Sequence, residues 1–252
     1  MACAVTPKAA CTAKTIPPLN PFPVMPQQIP LFNQFQESVS FTNFWPGENA
    51  RLIELIKEQV VNPDQPCLYL WGKAGVGKTH LLQAACSFVY QQHKTAVYVS
   101  LADYENMAPE VLQGLEQYSV ICLDDVQVIA GQHAWESELF HLYNRARECG
   151  ALMIFAASKK PADISIVLQD LASRLSWGVV WHVEELPDAG KLAALQWRAQ
   201  QRGFALSDEV GAYLMQRWPR DMHSLFALLD KLDQASLTEQ RKLTIPFVRQ
   251  FL

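Results

Sequence analysis

Apolar residues recur along this chain in two rhythms. Between residues 49 and 61, Leu52, Ile53, Ile56 and Val60 fall at the spacing of one helical face. Short apolar runs then appear at 67–71, 96–100, 120–123, 152–157 and 179–183, each reading as a strand buried on both faces. Helical segments separate them, notably 79–91 and 135–147. Such alternation predicts an α/β fold: a parallel sheet with right-handed crossovers and helices on both faces. Ligands on such sheets bind beyond the carboxyl ends of the strands.

After Pro187 the pattern turns wholly helical. Asp188 is placed to cap a helix that Gly203 ends. Ser207 caps a second, with Asp208 and Glu209 in its first turn and Pro219 beyond its end. Leu225, Leu228, Leu229 and Leu232 stripe a third, and a last short helix begins near Thr244-Ile245-Pro246. The expected organisation is an α/β domain over 37–186 followed by a small all-helical lid over 187–252.

Residues 1–36 read differently. They hold no acidic residue, and seven prolines fall within the first 30. So little apolar area cannot offset the entropy of ordering, so a disordered tail is expected. Met25 offers an alternative start, which would leave out residues 1–24.

Composition narrows the classes. Half of the 252 residues are apolar and 18% are charged, which is ordinary for a globular protein. A net charge of −4 gives no general basic footprint for nucleic acid. Cys3, Cys11, Cys67, Cys86, Cys122 and Cys149 form no C-x-x-C pair and read as reduced thiols. With neither a secretory signal nor a membrane-length apolar run, the expected location is cytoplasmic.

The chemistry concentrates after the first strand. Gly72, Lys73, Ala74, Gly75, Val76, Gly77, Lys78 and Thr79 spell GKAGVGKT, a full G-x-x-x-x-G-K-[ST] phosphate loop between a strand and a helix. Its glycines let backbone N–H groups wrap a phosphate, and the helix N-terminus adds a favourable dipole. Lys78 would reach the outer phosphates of ADP or ATP, and the Thr79 hydroxyl would ligate Mg²⁺. Val120-Ile121-Cys122-Leu123 delivers Asp124 and Asp125 at the same sheet edge. There Asp124 would hold Mg²⁺, directly or through water, and Asp125 would orient or activate an attacking water. Taken alone, that segment also reads as a strand ending in a turn.

Phosphate loop, Leu123-Asp124-Asp125-Val126-Gln127 and Leu171-Ala172-Ser173-Arg174-Leu175-Ser176-Trp177-Gly178 together resemble the AAA+ ATPase module of the bacterial DnaA family. They are more closely similar to its Hda-type members, regulators that inactivate DnaA. Phe41-Thr42-Asn43-Phe44-Trp45-Pro46-Gly47, Leu142-Tyr143-Asn144-Arg145 and Arg241-Lys242-Leu243-Thr244-Ile245-Pro246-Phe247-Val248 extend the resemblance over residues 27–252.

The resemblance implies roles. Phe41, Phe44 and Gly47 fall where the family encloses adenine, although an ordinary helix-entry cluster would look the same. His80 joins the nucleotide-contacting set. Arg174 matches the arginine finger that reaches a neighbouring subunit's nucleotide; a solvated surface arginine is the plainer alternative. At the first sensor Ser158 stands where the family carries an acid, and at the second His223 stands where it carries an arginine. An imidazole offers fewer donors than a guanidinium and no fixed charge, so weak or no intrinsic ATPase is expected. Gln28, Ile29, Pro30, Leu31 and Phe32 resemble the Q-x-x-L-F peptide that docks on the β subunit sliding clamp of DNA polymerase III.

The implied function is negative regulation of replication initiation. Partners would be DnaA and the clamp, with a homo-oligomer as a further state, DNA reached indirectly through the clamp, and no membrane. A self-contained AAA+ ATPase acting as helicase loader or remodeller is the alternative. A DNA-binding initiator is a third reading. Full-length DnaA adds a helix-turn-helix domain after its lid, whereas this sequence ends at Leu252, just past the lid. From Glu184 onward nine Lys/Arg balance nine Asp/Glu, so specific duplex readout is not expected.

Overall fold

β1 (Cys67–Trp71), β2 (Ala96–Ser100), β3 (Val120–Asp124), β4 (Leu152–Ala157) and β5 (Val179–His182) form one parallel sheet in the order β2-β3-β4-β1-β5. The computed structural model describes residues 39–65, 67–239 and 241–251. The expected tail, with its peptide Gln28–Phe32, lies outside them. All strand bounds agree with the sequence pattern to within one residue.

Alternation within each strand serves two cores, as the period of two requires. On one face Leu68, Leu70, Cys122 and Ile154 pack under α1 (Ala50–Val61) and α2 (Lys78–Gln91), against Leu52, Ile56, Leu81 and Val89. On the other, Tyr69, Leu123, Met153 and Phe155 meet α3 (His133–Cys149) and α4 (Gln169–Leu175) through Leu139, Leu142, Tyr143 and Leu171. The crossover from β2 to β3 departs from helical expectation. It is made of 3-10 turns at Tyr104–Asn106, Pro109–Leu112 and Leu115–Gln117. Pro109 and Gly114 interrupt any longer helix there, while Leu112 and Leu115 still reach the core.

The lid is all helical: α5 (Asp188–Gln201), α6 (Asp208–Arg217), α7 (Met222–Glu239) and α8 (Ile245–Val248). It has its own core of Leu195, Val210, Leu214, Leu225, Leu228, Leu229, Leu232 and Val248. Ser207 caps α6 by accepting the Val210 N–H at 3.4 Å. Asp188, by contrast, does not cap α5. Pro187 precedes the helix, which starts at Asp188, and the Asp188 carboxylate instead accepts from the Arg220 guanidinium at 2.9 Å. A charge-assisted hydrogen bond to an exposed arginine thus takes the carboxylate that would otherwise cap the helix.

Two buried polar side chains set the positions of neighbouring segments. Asn49 stands before α1 and is 1% exposed. Its amide donates to the Glu184 carbonyl at 3.0 Å and accepts the Glu184 N–H at 2.8 Å, as a strand partner would. That pairing ties the start of α1 to the connection between β5 and the lid. Glu136, fully buried on α3, accepts backbone N–H groups from Gly131 (2.6 Å), Val167 (3.0 Å) and Leu168 (2.8 Å). It thereby fixes the loop that launches α4. Among the described residues no helix is long and apolar enough to cross a membrane.

Candidate functional site

Because all strands are parallel, the loop after β1 and the acids after β3 emerge at the same sheet edge, one strand apart. They line a cleft of about 390 Å³ between the sheet edge and the lid. The phosphate loop forms its floor. Gly77 has φ +98°, and a Cβ there would stand 2.7 Å from the Phe44 ring, so both backbone and space demand glycine. Among the described residues, no carbonyl or side chain accepts the N–H groups of Ala74, Gly75, Val76 or Gly77. Such converging donors at the start of a 14-residue helix suit an anion.

Lys78 is buried, its ammonium donating to the Gly72 carbonyl at 2.8 Å and the Lys73 carbonyl at 2.7 Å. Burial pushes its pKa down, against the pull of Asp124 and Asp125. Lys73 points away from the cleft and pairs with Glu185 at 3.1 Å; Glu185 also accepts from Lys191 on α5 at 2.7 Å. The loop and the lid are thus joined through one carboxylate.

Asp124 is 2% exposed. One of its oxygens accepts from Thr79 Oγ1 at 2.6 Å and from the Tyr98 hydroxyl at 3.0 Å, and the other accepts the Asp125 N–H at 2.9 Å. Burial raises the Asp124 pKa and the Asp125 charge adds to that, while the Thr79 and Tyr98 hydroxyls pull it down. Thr79 and Asp124 therefore meet as a pair of hard oxygen donors, a set that fits Mg²⁺. Asp125 lines the cleft at φ +56° and accepts from the Gln127 amide at 3.0 Å. Gln127 in turn accepts the Ser158 N–H at 3.0 Å. The Gln127 side chain thus links the second acid to Ser158.

The cleft's upper wall comes from three places: Phe44, Trp45 and Asn49 before and at the start of α1, Leu186 and Ala194 around the start of α5, and Met222, His223 and Phe226 on α7. His80 packs at a tilt against Phe44 with ring centroids 5.3 Å apart, and its Nε2 lies 3.1 Å from the Ser40 carbonyl. Burial is the main cause that lowers its pKa. His223 is exposed and lines the cleft from α7. Phe41 is turned elsewhere: its ring lies 6.1 Å from Phe88 and under the Lys57 ammonium, outside the cleft lining. Gly47, at φ +48°, also lies outside the lining, and a side chain there would overlap Leu186. Ser158 is exposed just past β4, and Gly72 and Lys73 frame the loop rather than line it.

Arg174 belongs to the other end of the sheet. Its carbonyl lies 3.9 Å from the Cys67 thiol at the start of β1, whereas the phosphate loop follows the end of that strand, about 13 Å away. It is half-buried rather than extended into water, its guanidinium resting on the rings of Trp177 and Tyr143.

Two family models match the chain: the bacterial DnaA ATPase domain over residues 35–182 and the Hda lid domain over residues 188–252. Solved structures share the fold. Domain III of the Thermotoga maritima replication initiation protein DnaA superposes with a TM-score of 0.72 at 21% identity, covering 89% of this chain and 98% of that one. AMPPCP-bound DnaA from Aquifex aeolicus gives 0.68 at 23%, covering 79% and 66%. The Holliday junction branch migration motor RuvB of Thermotoga maritima gives 0.64 at 15%, covering 86% and 72%.

Proposed function

Because this chain belongs to the bacterial DnaA ATPase family and carries an Hda-type lid, we propose that it is a DnaA-related regulator that promotes hydrolysis of DnaA-bound ATP in trans. The observation that carries this reading is the place of Arg174. It stands at the amino end of β1, at the far side of the sheet from its own phosphate loop, which supports a role at another molecule's nucleotide.

The chain's own cleft takes ADP or ATP. Unpartnered loop N–H groups and the start of α2 hold the phosphates, while Lys78 turns from the Gly72 and Lys73 carbonyls toward them. Phe44, Trp45, Leu186 and Met222 give the base an apolar wall. Thr79 and Asp124 would hold Mg²⁺, whose charge offsets that of the outer phosphates. Exposed Ser158 and the single imidazole of His223 replace an acid and a guanidinium, which supports a nucleotide used as a conformational switch, with little turnover. The cleft wall contributed by α7, the third lid helix (Met222, His223, Phe226), then reports nucleotide state to the lid.

In the partner's site Arg174 would stabilise charge on the transferring phosphoryl group, a contribution of about 10³–10⁵ in rate, or ~4–7 kcal/mol. The peptide Gln28–Phe32 would hold the chain on a DNA-loaded sliding clamp and raise its local concentration. The test is hydrolysis of DnaA-bound ATP with clamp on DNA. Arg174→Ala should abolish stimulation and Gln28→Ala should weaken it together with clamp pull-down. An Arg174→Ala chain as active as wild type would overturn the reading.

A further inference from the structure

Arg174 does not stand alone. Its guanidinium lies 4.8 Å from the Trp177 ring centroid and 5.9 Å from that of Tyr143. Arg147, one turn beyond Tyr143 on α3, places its own guanidinium 4.8 Å from the same indole. Neither guanidinium has a carboxylate within salt-bridge distance among the described residues. Trp177 itself is 55% exposed, although indole is among the most costly side chains to leave in water. The core gains little from it there.

Its position is nonetheless fixed. The Trp177 N–H donates to the Arg174 carbonyl at 3.1 Å, closing the turn that ends α4. Gly178 follows against the Cys67 backbone, where a Cβ would overlap the carbonyl. At its other end α4 is held by Glu136 through the Val167 and Leu168 N–H groups. The backbone that carries the indole is thus pinned at both sides, and the ring offers a π-face to a long, many-rotamer side chain.

We propose that Trp177 is a positioning residue for Arg174, with Arg147 bracing the indole on the same surface. This inference rests on the reading that Arg174 acts on a partner's nucleotide. Stacking on an aromatic face restricts a guanidinium to few rotamers before the partner arrives, so less ordering entropy is lost at the moment of catalysis. The contact is weak enough for a phosphoryl oxygen to displace it. A flexible arginine without that support would reach the same phosphate less often.

The experiment measures hydrolysis of DnaA-bound ATP with clamp on DNA, as a function of full-length chain concentration. Trp177→Phe, which keeps a π-face, should hold the maximal rate to within about twofold of wild type. Trp177→Leu and Trp177→Gln, which remove the ring at an exposed position, should lower it about fivefold with the half-saturating concentration unchanged. Either of these two variants carries the test if the other unfolds in a thermal melt. Full maximal rate in both overturns the proposal, as does a loss confined to the half-saturating concentration, which would make Trp177 a docking contact. If Arg174→Ala itself matches wild type, the trans reading falls with it. If Arg174→Ala is inactive while the Leu and Gln variants are not, only the role of Trp177 falls.

Discussion

The Thr79 hydroxyl donates to the Asp124 carboxylate across 2.6 Å, and this one hydrogen bond joins the end of the phosphate loop to the end of β3. Tyr98, from the neighbouring strand β2, donates to the same oxygen at 3.0 Å. Asp124 is therefore a buried carboxylate whose ionised form is supported by two hydroxyls against the penalty of its burial.

Tyr98→Phe removes one of those donors, so the Asp124 pKa should rise further above the usual carboxylate range. Metal-supported nucleotide binding needs the ionised form. As pH falls, the loss of Mg²⁺-dependent ADP affinity should therefore begin at a higher pH in Tyr98→Phe than in wild type. Calorimetric titrations with and without Mg²⁺, from neutral to about pH 5, check this.

Lys78→Met keeps the length of the side chain and removes its charge. A hydrogen bond to a charged group contributes about 1.5–3 kcal/mol, so ADP affinity should weaken ~10–100-fold. The same titration reads it, with circular dichroism confirming the fold.

Glu136→Ala leaves the Gly131, Val167 and Leu168 N–H groups without an acceptor. At about 1 kcal/mol or more each, the expected loss is ~3 kcal/mol or above, and a fall in Tm of about 10 °C. Differential scanning calorimetry measures it. Stimulation of a partner's hydrolysis should fall too, since the same loop aims α4.

His80 supplies a pH dependence of stability. Burial, joined by the Arg198 charge, holds its folded pKa below the usual value, while the bond to the Ser40 carbonyl opposes them. The unfolded chain therefore binds a proton first. Stability should be independent of this group above about pH 6.5 and decline as pH falls below it, until folded His80 also protonates. His80→Gln, which keeps a donor for Ser40, should flatten that decline in urea-unfolding midpoints taken between about pH 7.5 and 5.5.

The sheet was legible because its signal is local. Runs such as Val120-Ile121-Cys122-Leu123 are apolar at every position only when both faces are buried, and the acids that follow mark the edge. The phosphate loop and Asp124 were legible for the same reason. What escaped depends on partners far along the chain. Glu136 reads as an ordinary solvated helix charge, yet it is fully buried by a loop about thirty residues away. Tyr98 looks like one more strand residue; only the pairing of β2 with β3 brings it to Asp124. Phe41 and Phe44 are three apart and equally aromatic, but the 3-10 turn Phe41–Asn43 sends one onto Phe88 and the other into the cleft. For Arg174, sequence does not reveal that the rings of Trp177 and Tyr143 lie beside its guanidinium.

The mooring of the first described residues also has a mechanical meaning. Ser87 donates to the Val39 carbonyl at 2.6 Å, His80 meets the Ser40 carbonyl, and Phe41 packs on Phe88. All three anchors belong to α2, the helix that begins with Lys78 and Thr79. Tension applied along the chain ahead of Val39 therefore enters the molecule through that helix, and Asn49 passes the remainder to the root of the lid at Glu184. A pull applied at that end would load the same helix that carries Lys78 and Thr79, so anchoring and nucleotide holding would be two loads on one beam.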